Sequence, residues 1–581
     1  MNLSLRAYWN LLSKHVRPQK GRFALLTVLL LGSIGLRILN PQIMRLFIDA
    51  ALGGETLRQL MITAIAFIAI ALVQQVVGVS VTYLGENVAW TATNALRGEL
   101  AEHALSLDMG FHNDHSPGKL IERIDGDVLE MATFFSQFVI TLVGNGLLLI
   151  GILVALFIED WRVGFAFTFF ALFAGLILNR VKGIAVEHQK ARRQGEAELF
   201  GFIEEQLSGT EDIRSSGAVD YSIRELYRLQ ANILHSNRKA NFKRWIIQNS
   251  IEIFLVAGNV LAISSGYLLF SMGAITVGTV YLFVHYMNLL QEPIWALTRQ
   301  IESFQTIGAC VERLSEFREI HTRIEDGSLT EIKGKELVLS FDNVSFSYDS
   351  DTRVLDEVSF SLKPTSVLGL LGRTGSGKTT LARLVFRLFD PSSGRVLLNG
   401  TDVRDLKLQT LRQKVAIVTQ NVQLFRSSVR DNLTFFDESI SDAQIEDVLQ
   451  ELELMTWYAQ LPQGLETQLG TDGHNLSAGE AQLLALARIF LRDPDLVILD
   501  EASSRLDPAT EVQLERAMEK LLHHRTAIII AHRLQTVHRA DEIMILEKGR
   551  VLEHGNRVIL ADDPGSHFSQ LLQTGLEEVL A

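Results

Sequence analysis

Apolar positions form long runs in the first half of the chain and short ones in the second, and this difference divides the molecule. Runs at 23–51, 61–81, 134–158, 163–178, 251–270 and 277–297 reach or approach the ~20 residues that a helix needs to cross a bilayer. Arg37 and Pro41 interrupt the first and the fourth is short; six spans are expected. The connections alternate in length. Gly53-Gly54-Glu55-Thr56, Glu159-Asp160-Trp161-Arg162 and Ser271-Met272-Gly273-Ala274 are short, whereas 82–133 and 179–250 are long and charged. The long returns carry Arg97, Lys119, Arg123, Lys182, Lys190, Arg192, Arg193, Arg238, Lys239, Lys243 and Arg244, so the positive-inside tendency places them and both termini in the cytoplasm.

Helical spacing within the returns, as in Leu96, Leu100, His103, Ala104 and Leu107, predicts that each runs out and back as two helices of about 25 residues, a projection of roughly 35–40 Å. The elbows fall near 110–118 and 208–218. Inside the spans lie Arg37, Gln74, Gln75, Asn145, Asn249, Glu252, Asn259, His285 and Asn288. Each alone is expected to make an interhelical hydrogen bond; together they point to a cavity that is not purely apolar, with Arg37 and Glu252 the most telling. Residues 1–20 are polar and basic without a cleavage site. They read as a cytoplasmic lead-in or as an interfacial helix with Tyr8, Trp9, Leu11 and Leu12 on its apolar side. After 302 the pattern turns amphipathic and then polar, and 326–335 reads as a linker.

Beyond the linker, short strands alternate with helices. Val338-Leu339-Ser340-Phe341 with Val344-Ser345-Phe346-Ser347-Tyr348 reads as an antiparallel start. The runs 415–418, 496–499 and 527–531 read as buried parallel strands. Between the apolar run 367–371 and a helical stretch from Leu381 lies Gly372-Arg373-Thr374-Gly375-Ser376-Gly377-Lys378-Thr379, a complete G-x-x-x-x-G-K-[ST] match in the strand–turn–helix context that a phosphate cradle needs. Glycines let backbone N–H groups approach the crowded charge of a triphosphate, the helix start adds a partial positive charge, and the lysine reaches the β- and γ-phosphates. Thr379 is the expected hydroxyl ligand of Mg²⁺.

Strand ends supply the remaining chemistry. Asp500 and Glu501 close the strand 496–499, where one carboxylate can hold the metal shell and the other can orient or deprotonate water. His532 closes the last strand, within reach of a γ-phosphate. Gln420 ends another and could sense the metal. Ser477-Ala478-Gly479-Glu480 precedes a helix as a second anion-binding N-terminus.

Composition narrows the setting. Apolar residues make up 47% of 581 and charged ones only 21%, as in a membrane part fused to a soluble one. The net charge of −13 argues against a nucleic-acid partner. The single cysteine, Cys310, excludes a disulfide framework.

Residues 336–575 resemble the nucleotide-binding domain of the ATP-binding cassette family. In chain order, Tyr348 matches the aromatic that stacks on adenine, 372–379 the Walker A loop, and Gln420 the Q-loop. Leu476-Ser477-Ala478-Gly479-Glu480 matches the signature, 496–500 with Glu501 the Walker B strand and catalytic glutamate, Ser504-Arg505-Leu506-Asp507 the D-loop and His532 the switch histidine. Thr467, Gly470 and Gly473 fit the exporters' extra contact loop; Phe111, Gly118, Lys119, Leu120 and Arg123 fit a first coupling elbow; Gly278 and Pro293 fit the last span.

The resemblance implies an all-α six-helix transmembrane domain (21–325) followed by an α/β phosphate-loop domain (336–575), in a half-exporter of the inner membrane. It implies an ATPase with ATP and Mg²⁺ held by Tyr348, 372–379, Thr380, Gln420, Ser477, Ala478, Gly479, Glu480, Asp500 and Asp507, with Thr379, Gln420 and Asp500 around the metal and Glu501 and His532 catalytic. Two cassettes sandwich two nucleotides in that family, so a partner half-transporter is required. The family signature has glycine where this chain has Ala478. With Glu501 and His532 intact, the expectation is a heterodimer that exports hydrophobic or amphipathic drugs, lipids or peptides. The alternatives are a homodimeric lipid flippase, a siderophore-type importer on the same fold and a non-transport ATPase.

Overall fold

The computed structural model describes residues 13–574 except 182, 333, 335, 350–351, 420–421, 471–475, 501–507 and 532–536. Tyr8, Trp9, Leu11 and Leu12 lie outside the described residues. The chain divides into two compact units, Met1–Leu105 with Pro117–Ile320, and Ser106–Ser116 with His321–Ala581.

The first unit is helical. Its helices are α1 (Lys20–Leu52) and α2 (Leu57–Ser106), then α4 (Val128–Gln137), α5 (Gly144–Glu159), α6 (Trp161–Val181), α7 (Gly183–Ser208), α8 (Thr210–Ser215), α9 (Val219–Ser271) and α10 (Val277–Glu319); α3 (Met109–Asp114) belongs to the second unit. Spans and returns are therefore not separate pieces: α2, α9 and α10 run unbroken for 50, 53 and 43 residues. The two elbows fall at α3 and around α8. Pro41 does not end α1 as expected of an interruption; it sits buried inside the helix, where packing against neighbours offsets the missing N–H. Among the described residues four helices are long and apolar enough to cross a membrane, and Trp161–Ile177 is a shorter apolar one. The sixth expected span, in α10, falls below that apolar content because His285, Asn288, Gln291 and Glu292 dilute it.

The core of this unit joins Leu148, Ile152 and Leu156 of α5 to Phe167 and Phe170 of α6 and to Phe283, Tyr286 and Met287 of α10. Gly278 shows how close the packing is. Its N–H donates to Asp49 Oδ1 at 2.9 Å, and a β-carbon there would stand 2.6 Å from the Arg45 carbonyl oxygen. Several polar groups of the spans pair inside the unit: Arg45 with Glu159, Gln42 with Tyr286 at 3.2 Å, and Asn249 back to the Trp245 carbonyl at 2.8 Å. Below the spans, Arg313 forks onto buried Asp127. Burial and this carboxylate push the thiol of Cys310 up to about 12, which keeps it protonated and inert.

The second unit is α/β. Strands β1 (Leu339–Ser347), β2 (Arg353–Leu362), β3 (Val367–Leu371), β4 (Ser393–Leu398), β5 (Thr401–Asp402), β6 (Val415–Val418), β7 (Leu496–Asp500), β8 (Thr526–Ile530), β9 (Glu542–Glu547) and β10 (Arg550–Asn556) form two sheets, ordered β2-β1-β4-β5 and β10-β9-β3-β8-β7-β6. The two runs expected to open an antiparallel pair are a single strand, β1, with register shifts after Phe341; Asn343, at φ 52°, makes the bend. Its antiparallel partners are β2 and β4. In the larger sheet β3, β6, β7, β8 and β9 are parallel. Alternate residues feed opposite layers: Val497 and Leu499 pack into one cluster and Leu496 and Ile498 into the other. A sheet covered on both faces needs continuous apolar strands, which is why these read so plainly in sequence.

Candidate nucleotide site

The loop from β3 to α11 (Lys378–Val385) is built by its glycines. Gly372 has φ 147° and Gly377 φ 107°. A β-carbon on Gly372 would meet the Leu546 carbonyl oxygen at 2.3 Å, and one on Gly377 would meet Leu355 at 2.6 Å. Any side chain at either position would push the loop off β9 or β2. Arg373, Thr374 and Gly375 form the exposed rim.

Lys378 is buried and folds back over the loop, its Nζ donating to the carbonyl oxygens of Gly372 at 2.5 Å and Arg373 at 3.1 Å. An ammonium taken out of water is costly unless anionic oxygens come to it. Ser376 makes the same point from the other side of the loop: its Oγ is buried and has no hydrogen-bond partner among the described residues. A buried hydroxyl without a partner, beside a buried ammonium, fits a ligand rich in oxygen acceptors. The Thr379 hydroxyl donates to Asp500 Oδ2 at 3.3 Å, so β7 and α11 bring together two hard oxygen donors of the kind that suits Mg²⁺.

Tyr348 stands at the edge of the loop with its ring partly exposed. Its hydroxyl pairs with Thr380 Oγ1 at 3.0 Å and accepts from Arg383 at 3.1 Å. The ring stands nearly perpendicular to Phe389 and to Phe346, with centroids 5.1 and 4.9 Å away, which holds its orientation. On the far side of Phe389 lies the elbow helix α3: a β-carbon on Gly110 would be 4.0 Å from Phe389 Cε1. Asp108 caps α3 by accepting from the Phe111 N–H at 3.1 Å and also accepts from the Arg323 N–H at 2.6 Å. Burial works to raise its pKa, but these backbone donors outweigh it and hold the carboxyl below its ordinary value.

The candidate second anion site heads α12 (Ala478–Arg492). Ser477 is its N-cap, with Oγ accepting from the Glu480 N–H at 3.2 Å while Glu480 Oε2 accepts from the Ser477 N–H at 2.7 Å. This capping box gives Glu480 a structural task. Gly479 is buried in the first turn. The side chain of Ala478, and Gln420, Glu501, Asp507 and His532, lie outside the described residues, as does Gly473.

Arg488, which the sequence reading passed over, is buried on α12. It donates to the Asn432 carbonyl at 2.6 Å and the Gln423 carbonyl at 3.0 Å, and lies over the Phe435 ring at 4.6 Å. Burial and then Arg492 pull its pKa down to about 10, which leaves it charged at neutral pH. It locks the signature helix to the segment that follows β6. An arginine in a helical run carries no spacing signal that could have marked it.

Comparison with known proteins agrees with this geometry. A model described as "ABC transporter" matches residues 355–504, and one described as "ABC transporter transmembrane region" matches 23–294. The chain is similar to an "ATP-dependent lipid A-core flippase" of Pseudomonas fluorescens, 29% identical over 99% of this chain and 97% of that protein. The flippase of the same name from Alcanivorax borkumensis is 27% identical over 94% of this chain and 92% of its own. Among solved structures it resembles a bacterial Atm1-family ABC exporter at TM-score 0.78 and 23% identity, covering 96% of this chain and 98% of that one.

Proposed function

The chain belongs to the ABC transporters, as an exporter half-transporter that couples a helical membrane domain to an ATP-hydrolysing domain, and from that premise we propose that it moves lipids across the inner membrane as a dimer of two copies. The observation that carries the assignment of the working end is the cradle of buried Lys378, unpartnered Ser376 Oγ and the Thr379–Asp500 pair.

In this reading the 372–377 loop wraps the β- and γ-phosphates, Lys378 neutralises them and Ser376 donates to them. Tyr348 stacks on adenine. Thr379 and Asp500, with Gln420, would hold Mg²⁺, which supplies charge shielding of the phosphate oxygens. Glu501 orients and deprotonates the attacking water and His532 holds the γ-phosphate. Ser477, Gly479 and Glu480 of one copy close on the nucleotide of the other, with Asp507 between them, and the elbow at α3 passes closure to the spans. The nucleotide-binding unit faces the cytoplasm.

Lipid as cargo is supported by the relatives that are named lipid A-core flippases. Two copies rather than a heterodimer are supported by the signature helix itself: despite Ala478, its N-cap serine and capping box are complete, so the anion-binding end has kept its geometry. Reconstitution in liposomes with fluorescent lipid tests the reading. The wild type should move lipid with ATP, and Lys378→Ala should lose both movement and about 10²-fold or more of ATP turnover. Lipid movement that persists in Lys378→Ala, or its absence from a wild type that hydrolyses ATP, overturns it.

A further inference from the structure

On α10, Tyr281, His285, Asn288 and Glu292 follow one another at intervals of four, three and four residues, which puts them on one helix face. The opposite face, with Leu282, Phe283, Tyr286 and Met287, is buried in the core of the helical unit. Asn288 and Glu292 are exposed. A polar face open at membrane depth is costly against hydrocarbon and belongs toward a bundle interior or a water-filled cavity.

Two neighbouring helices reach this stripe. From α9, Asn259 Nδ2 donates to Asn288 Oδ1 at 3.3 Å, an oxygen that also accepts from Gln291 Nε2 of α10 itself at 3.1 Å. From the midpoint of the α1 span, Arg37 donates to Glu292 Oε2 at 3.0 Å. This ion pair is not a sealed structural link, for the Arg37 side chain is 36% exposed and that of Glu292 59%. Arg45, the other arginine of the spans, is held by Glu159 with both side chains mostly buried.

We propose that the Arg37–Glu292 pair is a docking site for a zwitterionic lipid headgroup that joins a phosphate to a primary ammonium. Such a headgroup exchanges one ion pair for two, Arg37 with the phosphate and Glu292 with the ammonium, so no charge is left unpaired in a low dielectric. Stranding either partner would be costly. A polyanionic headgroup would meet one arginine and be repelled by Glu292, and a simple cationic amphiphile would leave Arg37 alone. Asn288 and Gln291 stand beside the pair with amide groups suited to glycerol and ester oxygens. The inference rests on the lipid-export reading and specifies its cargo.

Purified full-length protein would be titrated with phosphatidylethanolamine and phosphatidylglycerol, with bound lipid counted by native mass spectrometry, and the same lipids followed in the flipping assay. The wild type should prefer phosphatidylethanolamine by about tenfold, Glu292→Gln should erase that preference, and Arg37→Gln should weaken phosphatidylglycerol binding further. A pair that only holds helices together would change thermal stability and leave the preference ratio where it was; that result, or a wild type that prefers phosphatidylglycerol, overturns the proposal. Should the variants not fold, the wild type decides: N-acylating the ethanolamine removes the ammonium and should cost about tenfold in binding, and equal binding overturns the proposal. A wild type that moves no lipid at all sinks the lipid-export reading, whereas lipid movement with an unchanged ratio in folded variants sinks only the headgroup assignment.

Discussion

Ser376 separates folding from binding at a single atom. Its Oγ is buried without a partner among the described residues, and a buried hydroxyl in that state contributes nothing to the fold and carries a desolvation cost. Ser376→Ala should therefore leave the melting temperature without nucleotide unchanged or slightly higher, while weakening ATP binding by roughly 1 kcal/mol, about fivefold. Calorimetry and nucleotide titration of the one variant check both signs. The loop around it stood out in the sequence because G-x-x-x-x-G-K-[ST] sets the glycines and the lysine at fixed spacing, whereas Ser376 falls on one of the open positions of that pattern. Arg488 and Glu292 did not stand out: an arginine in a helical run and a Glu-Pro at the end of an apolar run look ordinary until the fold shows what surrounds them.

Helices and strands were legible to the extent that each has one environment along its length. The parallel strands, buried on both faces, read directly. The helices that leave the membrane and continue into the returns, α2, α9 and α10, change surroundings midway, so composition divided what hydrogen bonding keeps whole. The single bulged strand β1 looked like two for a related reason, since Asp342 and Asn343 interrupt its apolar alternation. The elbow α3 carries a prediction of its own. Phe389 touches Tyr348 on one side and lies beside Gly110 of α3 on the other, so a test of coupling between the nucleotide edge and α3 starts with this side chain. Phe389→Ala should lower lipid movement per ATP hydrolysed by about 2–30-fold, the range of a coupling energy of 0.5–2 kcal/mol, with ATP turnover largely kept. Parallel assays of flux and phosphate release on the same liposomes measure that ratio.

For the whole molecule, the sequence reading placed a helical membrane half before an α/β nucleotide half, as the fold and family have it, and its preference for two different chains came from Ala478 in the signature set against intact Glu501 and His532. One substitution in a helix's first turn is a thin basis when the cap that orients the helix is complete. The chain expressed by itself should purify as a dimer, and ATP should stabilise that dimer in the background of Glu501→Gln, as measured by light scattering in detergent. A monomer at all ATP concentrations would return the preference to an unlike partner. A last consequence follows from the 53 unbroken residues of α9. At 1.5 Å per residue the rod is about 80 Å long, so a tilt of about 5° at its elbow end swings the opposite tip by about 7 Å. Levers of this kind turn a small displacement at one end of the helix into a large one at the other without any joint between them.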